Sequence, residues 1–113
     1  MTCYEHEIYA RAIDLWGTSA QFCQAMEECA ELIVAVNKQM RHHNNFNNLV
    51  EEMADVSIMI DQIRMMIGCS ETEFDTIKSM KVRSLEGALI IMEGRKERGD
   101  EPFDKPSALE VKP

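Results

Sequence analysis

Residues 21–41, QFCQAMEECAELIVAVNKQMR, decide the fold of this chain. Their apolar side chains recur at alternating spacings of four and three residues, which places them on one face of an α-helix. This apolar stripe consists of Phe22, Met26, Cys29, Ile33, Val36 and Met40. A second stripe with the same spacing consists of Leu49, Met53, Val56, Ile60, Ile63 and Ile67. We expect the two stripes to face each other, so that the two helices pack as a bundle pair.

Capping signals predict where the helices begin and end. A Ser, Thr or Asn followed three residues later by Glu or Gln is typical of a helix start. Such pairs are Thr2 with Glu5, Thr18 with Gln21, Asn48 with Glu51, and Ser70 with Glu73. Gly17 and Gly68 stand where C-terminal caps are expected. The sequence therefore predicts an all-α four-helix bundle with helices at about 3–16, 19–41, 49–67 and 71–97. Residues 1–98 are predicted to form one helical domain, and residues 99–113, with three prolines, an extended tail.

Composition excludes several kinds of partner. The net charge is −8, with 20 acidic against 12 basic residues, which argues against nucleic acid and against an anionic membrane surface. The longest apolar runs, 32–36 and 88–92, are far too short to span a bilayer. The first eight residues are polar, unlike a signal peptide, and the four cysteines show no CxxC spacing. We therefore expect free thiols and a cytoplasmic location.

The third predicted helix is apolar on more than one face. Besides its stripe it carries Val50, Ala54, Ile58, Met59, Met65 and Met66. A helix that is apolar on several faces needs more cover than a small four-helix monomer supplies. We therefore expect a homo-oligomer, either a dimer or a tetramer, with this helix near the interface.

The two middle helices share an acidic pattern. Residues 27–31 read EECAE and residues 51–55 read EEMAD, with 20 residues between Glu31 and Glu52. Carboxylates three residues apart lie on adjoining turns, so Glu28 with Glu31 can converge with Glu52 and Asp55 from a facing helix. Repulsion among them beside an apolar surface is relieved by a hard divalent cation, and an all-oxygen ligand set selects magnesium, manganese or calcium.

The acidic pattern has two other interpretations, a solvated helix face and a di-iron site. A single ExxE on a helix is most often a solvated face, and only its repetition on adjacent apolar helices favours a metal site. A di-iron carboxylate bundle requires a His three residues after a Glu, and no glutamate here is followed in that way.

These residues resemble the all-α nucleotide pyrophosphohydrolase superfamily of MazG-like and dimeric dUTPase-like proteins. The hallmark of that superfamily is EExxE, a spacer and ExxD, which residues 27–31 and 52–55 match. The flanking residues Trp16-Gly17, Gln21 and Leu32-Ile33 are also similar, and the resemblance covers about residues 15 to 85. It implies Mg²⁺-dependent hydrolysis of a nucleoside triphosphate, (d)NTP, to (d)NMP and pyrophosphate, in nucleotide-pool cleansing. Mn²⁺ can substitute for Mg²⁺ in such a site.

The resemblance also implies roles for individual residues. The expected metal ligands are Glu28, Glu31, Glu52 and Asp55. The candidate catalytic base is one of these four carboxylates or the neighbouring Glu27. Glu31 is preferred because it lies off the apolar stripe, and Glu28 is the second candidate. The candidate substrate-binding residues are Trp16, Gln21, Lys38, Arg41, Lys78 and Lys81. Trp16 can stack on a base or anchor the core. Lys38 and Arg41 can also be explained by their place near a helix C-terminus, where cations interact favourably with the helix dipole. Gly87 and Gly94 are expected to bend or break the last helix.

Two rival functions remain open. The first is a catalytically idle helical oligomer that acts as a scaffold, with its carboxylates at the surface. The second is a phosphohydrolase that acts on a polyphosphate other than a nucleotide.

Overall fold

The computed structural model describes residues 1–99, and four helices account for most of them. They are α1 (Cys3–Trp16), α2 (Thr18–His42), α3 (Phe46–Ile67) and α4 (Glu71–Glu97). Residues 1–99 contain no strand, so the predicted all-α class with four helices is confirmed. The largest error in a predicted boundary is at the start of α3, which begins at Phe46 rather than residue 49. Within the same residues, no helix is long and apolar enough to cross a membrane.

The start of α1 is the predicted capping box. Thr2 Oγ1 accepts a hydrogen bond from the Glu5 backbone N–H at 3.0 Å. In return the Thr2 backbone N–H donates to Glu5 Oε1 at 2.7 Å. Two donors that a helix leaves unpaired are thereby satisfied.

Two other predicted N-caps are wrong. Thr18 is the first residue of α2, and the N-cap is Gly17. Gly17, with a φ of 89°, is the single residue between α1 and α2 and caps both helices. Asn48 lies inside α3, whose N-cap is Asn45. Asn45 takes this position because it is tied to α2: its side chain donates to the Ala35 carbonyl, and its backbone N–H donates to Gln39 Oε1, both at 3.0 Å.

The chain divides into two compact units, Met1–Ser70 and the part that begins at Glu71. The second unit holds α4, which runs unbroken through Gly87 and Gly94, so the expected break is wrong. None of its residues is buried within α4. The single domain over residues 1–98 stays a prediction, and the predicted tail lies, except for Gly99, outside the described residues.

In the first unit, α2 and α3 form the main helix pair, and α1 contacts both of them. The two helices are antiparallel, since the turn at residues 43–45 joins them directly. The expectation that the apolar stripes face each other is wrong. Phe22, Met26 and Ile33 are 40%, 65% and 70% exposed.

The seam between α2 and α3 lies one residue before each stripe position, about 100° around each helix. The α2 seam residues are Gln21, Ala25, Glu28, Leu32, Ala35 and Gln39, and all are buried or half-buried. The α3 seam residues are Asn48, Glu52, Asp55, Met59, Gln62 and Met66, and all are likewise buried or half-buried. Ala25 and Ala35, at 4% and 1% exposure, allow the backbones to approach closely. The shift by one residue brings polar side chains, instead of the stripes, between the helices.

We expect Thr2→Ala to lower the free energy of unfolding by about 1 kcal/mol, because the capping hydroxyl is lost.

Hydrogen bonds from the Thr2 backbone and side chain lower the pKa of Glu5. A carboxylate with a lowered folded-state pKa stabilises the fold above its unfolded-state pKa and loses that effect as the pH falls through the folded-state value. Glu5→Gln should therefore be less stable than the parent at neutral pH and equal to it in acid. Urea unfolding over a pH series, with the exposed Glu7→Gln as control, tests this, and a constant gap between the two proteins contradicts it.

Candidate metal centre

Four carboxylates converge at the middle of the α2–α3 seam, three of them from seam positions and the fourth, Glu31, from the exposed surface beside it. Glu28 and Glu31 come from α2, and Glu52 and Asp55 come from α3. Each residue offers one oxygen, and these oxygens all lie within 4.8 Å of one another. Glu31 is exposed, whereas the other three are half-buried. We call these four residues the carboxylate cluster. Its donor set consists of oxygen alone, as a hard divalent cation prefers.

Two oxygens of the cluster are buried without a hydrogen-bond partner. They are Glu28 Oε2 and Glu52 Oε2, and no donor within residues 1–99 reaches either one. A buried acceptor left unpaired costs about 1–3 kcal/mol, and a charged one costs more. A ligand that supplies positive charge between the helices would pair with these oxygens and remove this cost.

The pKa of Glu28 is raised, and burial is the main cause. The neighbouring carboxylates Glu31 and Asp55 raise it further, because a second negative charge is unfavourable at this distance. One contact acts in the opposite direction: Gln24 Nε2 donates to Glu28 Oε1 at 2.7 Å. Sequence reasoning missed Gln24, although its position one helical turn before Glu28 signals the contact.

A cleft of about 560 Å³ borders the cluster on the side of Glu28 and Asp55. Its lining residues are Trp16, Ala20, Gln21, Gln24, Glu28, Asp55, Ile58, Met59 and Gln62. We call it the amide cleft, because Gln21 Nε2 donates a hydrogen bond to Gln62 Oε1 at its wall. The Trp16 side chain is 62% exposed, so it is not a core anchor within this unit. Gln62 was not predicted, although it lies seven residues after Asp55 on the same face of α3.

A smaller cleft of about 320 Å³ borders the cluster on the side of Glu31 and Glu52. Its lining residues are Ala30, Glu31, Val34, Lys38, Asn48 and Glu52. We call it the lysine cleft, since Lys38 brings a cation beside the two carboxylates. The cluster thus contributes two carboxylates to each cleft and lies between them.

The other predicted cations lie elsewhere. Arg41 is exposed near the end of α2, one turn beyond Lys38, and lines neither cleft. Lys78 and Lys81 lie on α4, in the second unit. Their role in phosphate binding stays a prediction.

Comparison of the chain with models of protein families, with curated proteins and with solved structures gave no match.

We expect Glu28→Gln to raise the melting temperature of the metal-free protein at neutral pH by a few degrees. Because the folded-state pKa of Glu28 is raised, its ionised form destabilises the fold, and this cost disappears as the pH falls through that pKa. The advantage of the variant should therefore shrink in mild acid. If the cluster binds Mg²⁺, saturating metal should reverse the order, because only the parent keeps all four carboxylates. Thermal melts in EDTA and in Mg²⁺ test this, with the exposed Glu51→Gln as control. A Glu28→Gln protein less stable than the parent in EDTA contradicts the prediction.

Proposed function

We propose that this chain is a Mg²⁺-dependent nucleoside triphosphate pyrophosphohydrolase of the MazG-like and dimeric dUTPase-like kind. It converts (d)NTP and water to (d)NMP and pyrophosphate, as in cleansing of the nucleotide pool. The observation that carries the proposal is the carboxylate cluster, whose oxygens converge within 4.8 Å between two clefts. Its two buried, unpartnered oxygens support a resident cation rather than a solvated acidic face.

The four residues of the cluster suit magnesium or manganese, since every donor is a carboxylate oxygen. Bound there, such a cation supplies charge neutralisation for the phosphates and lowers the pKa of a coordinated water. Gln24 orients Glu28 through its 2.7 Å hydrogen bond, which leaves Glu28 Oε2 for the cation.

The two clefts suit the two ends of a nucleotide. Lys38, which lines the lysine cleft, is proposed to pair with phosphate oxygens, and Arg41 follows it one turn later on α2. Trp16 in the amide cleft offers an exposed ring for stacking on the nucleoside. Lys78 and Lys81 are proposed as further phosphate-binding cations.

Hydrolysis between the α- and β-phosphates removes a proton from the attacking water. Glu31 is proposed as the base that accepts it, since it is exposed and lines the lysine cleft beside the phosphates. Glu28 is the second candidate, because its raised pKa makes it a stronger base. Cleavage of the phosphoanhydride bond then releases pyrophosphate and the monophosphate.

A cytoplasmic location is also proposed. Cys3, Cys23, Cys29 and Cys69 are all free thiols, and a reducing compartment maintains that state.

The test is pyrophosphate release from a panel of nucleoside triphosphates, with and without Mg²⁺. The parent should release pyrophosphate only with the metal, and Glu52→Gln should lower the rate by about 100-fold or more. The matched control is Glu51→Gln, which removes an exposed carboxylate next to Glu52 and outside the cluster.

The rival functions give different results in the same assay. Release of pyrophosphate from no nucleotide, with no effect of Mg²⁺ on melting, favours the scaffold. Release of phosphate from non-nucleotide polyphosphates alone identifies the second rival.

We also propose that the chain is a homo-oligomer, a dimer or tetramer, in which α3 lies near the interface and the exposed stripe of α2 is covered by a second copy. Ile33, at 70% exposure, should be central to this contact, so Ile33→Glu should reduce the oligomer to monomers. Leu15→Glu changes an apolar residue of 75% exposure on α1 and should leave the assembly intact. Sedimentation velocity measures both, and a parent chain that sediments as a monomer contradicts the proposal.

A further inference from the structure

Two glutamines are among the most deeply buried side chains of the first unit. Gln21 and Gln62 are each only 5% exposed, and glutamine is rarely buried in this way. They come from different helices and are joined by the hydrogen bond from Gln21 Nε2 to Gln62 Oε1. We call them the amide pair. Ala25 and Met59 are the next seam residues along the two helices, so the amide pair lies against an apolar layer.

The mutual hydrogen bond uses only half of the polar atoms of the amide pair. Gln21 Oε1 remains as an acceptor and Gln62 Nε2 remains as a donor. Within residues 1–99 neither atom belongs to the buried groups that lack a partner, and both residues line the amide cleft. Gln21 Oε1 and Gln62 Nε2 are thus the acceptor and the donor that the pair can offer to the amide cleft.

The spacing of the amide pair from the carboxylate cluster suits a nucleotide. Gln21 precedes Glu28 by seven residues, and Gln62 follows Asp55 by seven residues. Seven residues are two helical turns, or about 10 Å along the axis. With its phosphates at the cluster, a nucleotide would extend its base along the amide cleft toward these two side chains. Trp16 lines the same cleft and is 62% exposed.

We propose that the amide pair reads the hydrogen-bonding edge of the nucleobase and thereby determines base specificity. This inference rests on the proposed function and extends it to the recognition of the substrate. A base that presents a donor next to an acceptor matches the free Oε1 and Nε2 atoms. In a purely structural role the pair would instead lock the register of α2 against α3, and its alteration would change stability without changing base preference.

The test is Gln62→Glu. A glutamate at position 62 can only accept, so Gln21 must donate to it, and two acceptors then face the cleft. The edge of guanine presents two adjacent donors, the N1–H and the 2-amino group, whereas hypoxanthine lacks that amino group. We expect kcat/KM for dGTP relative to dITP to rise by about tenfold or more in Gln62→Glu.

The same change at the other member of the amide pair keeps the test valid if Gln62→Glu fails to fold. Gln21→Glu also leaves two acceptors in the cleft, because Gln62 must then donate to it, so it should show the same rise in the dGTP to dITP ratio. Gln39→Glu is the matched control, since it makes the same change on α2. A carboxylate at position 39 can still accept the hydrogen bond that the Asn45 N–H donates to Gln39 in the parent. It should keep the parent ratio.

The outcomes separate this inference from the proposed function. Hydrolysis by the parent with unchanged ratios in both variants overturns the inference alone. Absence of pyrophosphate release, with calorimetric binding of dGMP over dIMP that strengthens in the variants, supports the amide pair and overturns the hydrolase. A parent that neither hydrolyses nor binds any nucleotide overturns both.

Discussion

The structure of the first unit depends on the placement of four negative charges between two helices. Glu28, Glu31, Glu52 and Asp55 lie so close that their oxygens fall within 4.8 Å of one another. Charges of like sign at such distances repel strongly when water is partly excluded. Short side chains at Ala25 and Ala35 bring the backbones close on either side of the cluster, and the direct turn into α3 keeps the helices aligned. The fold therefore contains a local electrostatic repulsion that a cation can relieve.

The position of the carboxylates also explains which apolar side chains of the first unit are exposed. Since the carboxylates occupy the seam, the apolar stripes are turned about 100° away from it. Phe22, Met26 and Ile33 are consequently exposed, although their spacing is that of a buried face. Apolar area of this extent on a small chain is more consistent with an interface than with free solvent. The position of the carboxylates and the exposure of the apolar stripes thus follow from one choice of helix rotation.

Sequence reasoning recovered the all-α class, the number of helices and most of their ends, because caps and periodicity are local signals. It also brought the four carboxylates together, since ExxE spacing on facing helices leaves few alternatives. It did not find which face forms the seam, because two faces competed and the apolar one was assumed to be buried. Asn45 and Gln62 were missed for a related reason: their partners, Ala35 and Gln21, lie on another helix. The metal and the reaction remain predictions.

Several residues that line the two clefts correspond to each other by a constant offset along the chain. A shift of 24 residues along the chain maps Glu28 onto Glu52 and Glu31 onto Asp55. The same operation carries Gln24 of the amide cleft onto Asn48 of the lysine cleft, and Lys38 onto Gln62. The cluster itself is nearly symmetric under this offset, since glutamate corresponds to glutamate and glutamate to aspartate. The two clefts differ in the pair Gln62 and Lys38, and in the proposed complex this difference would set the direction of the bound nucleotide.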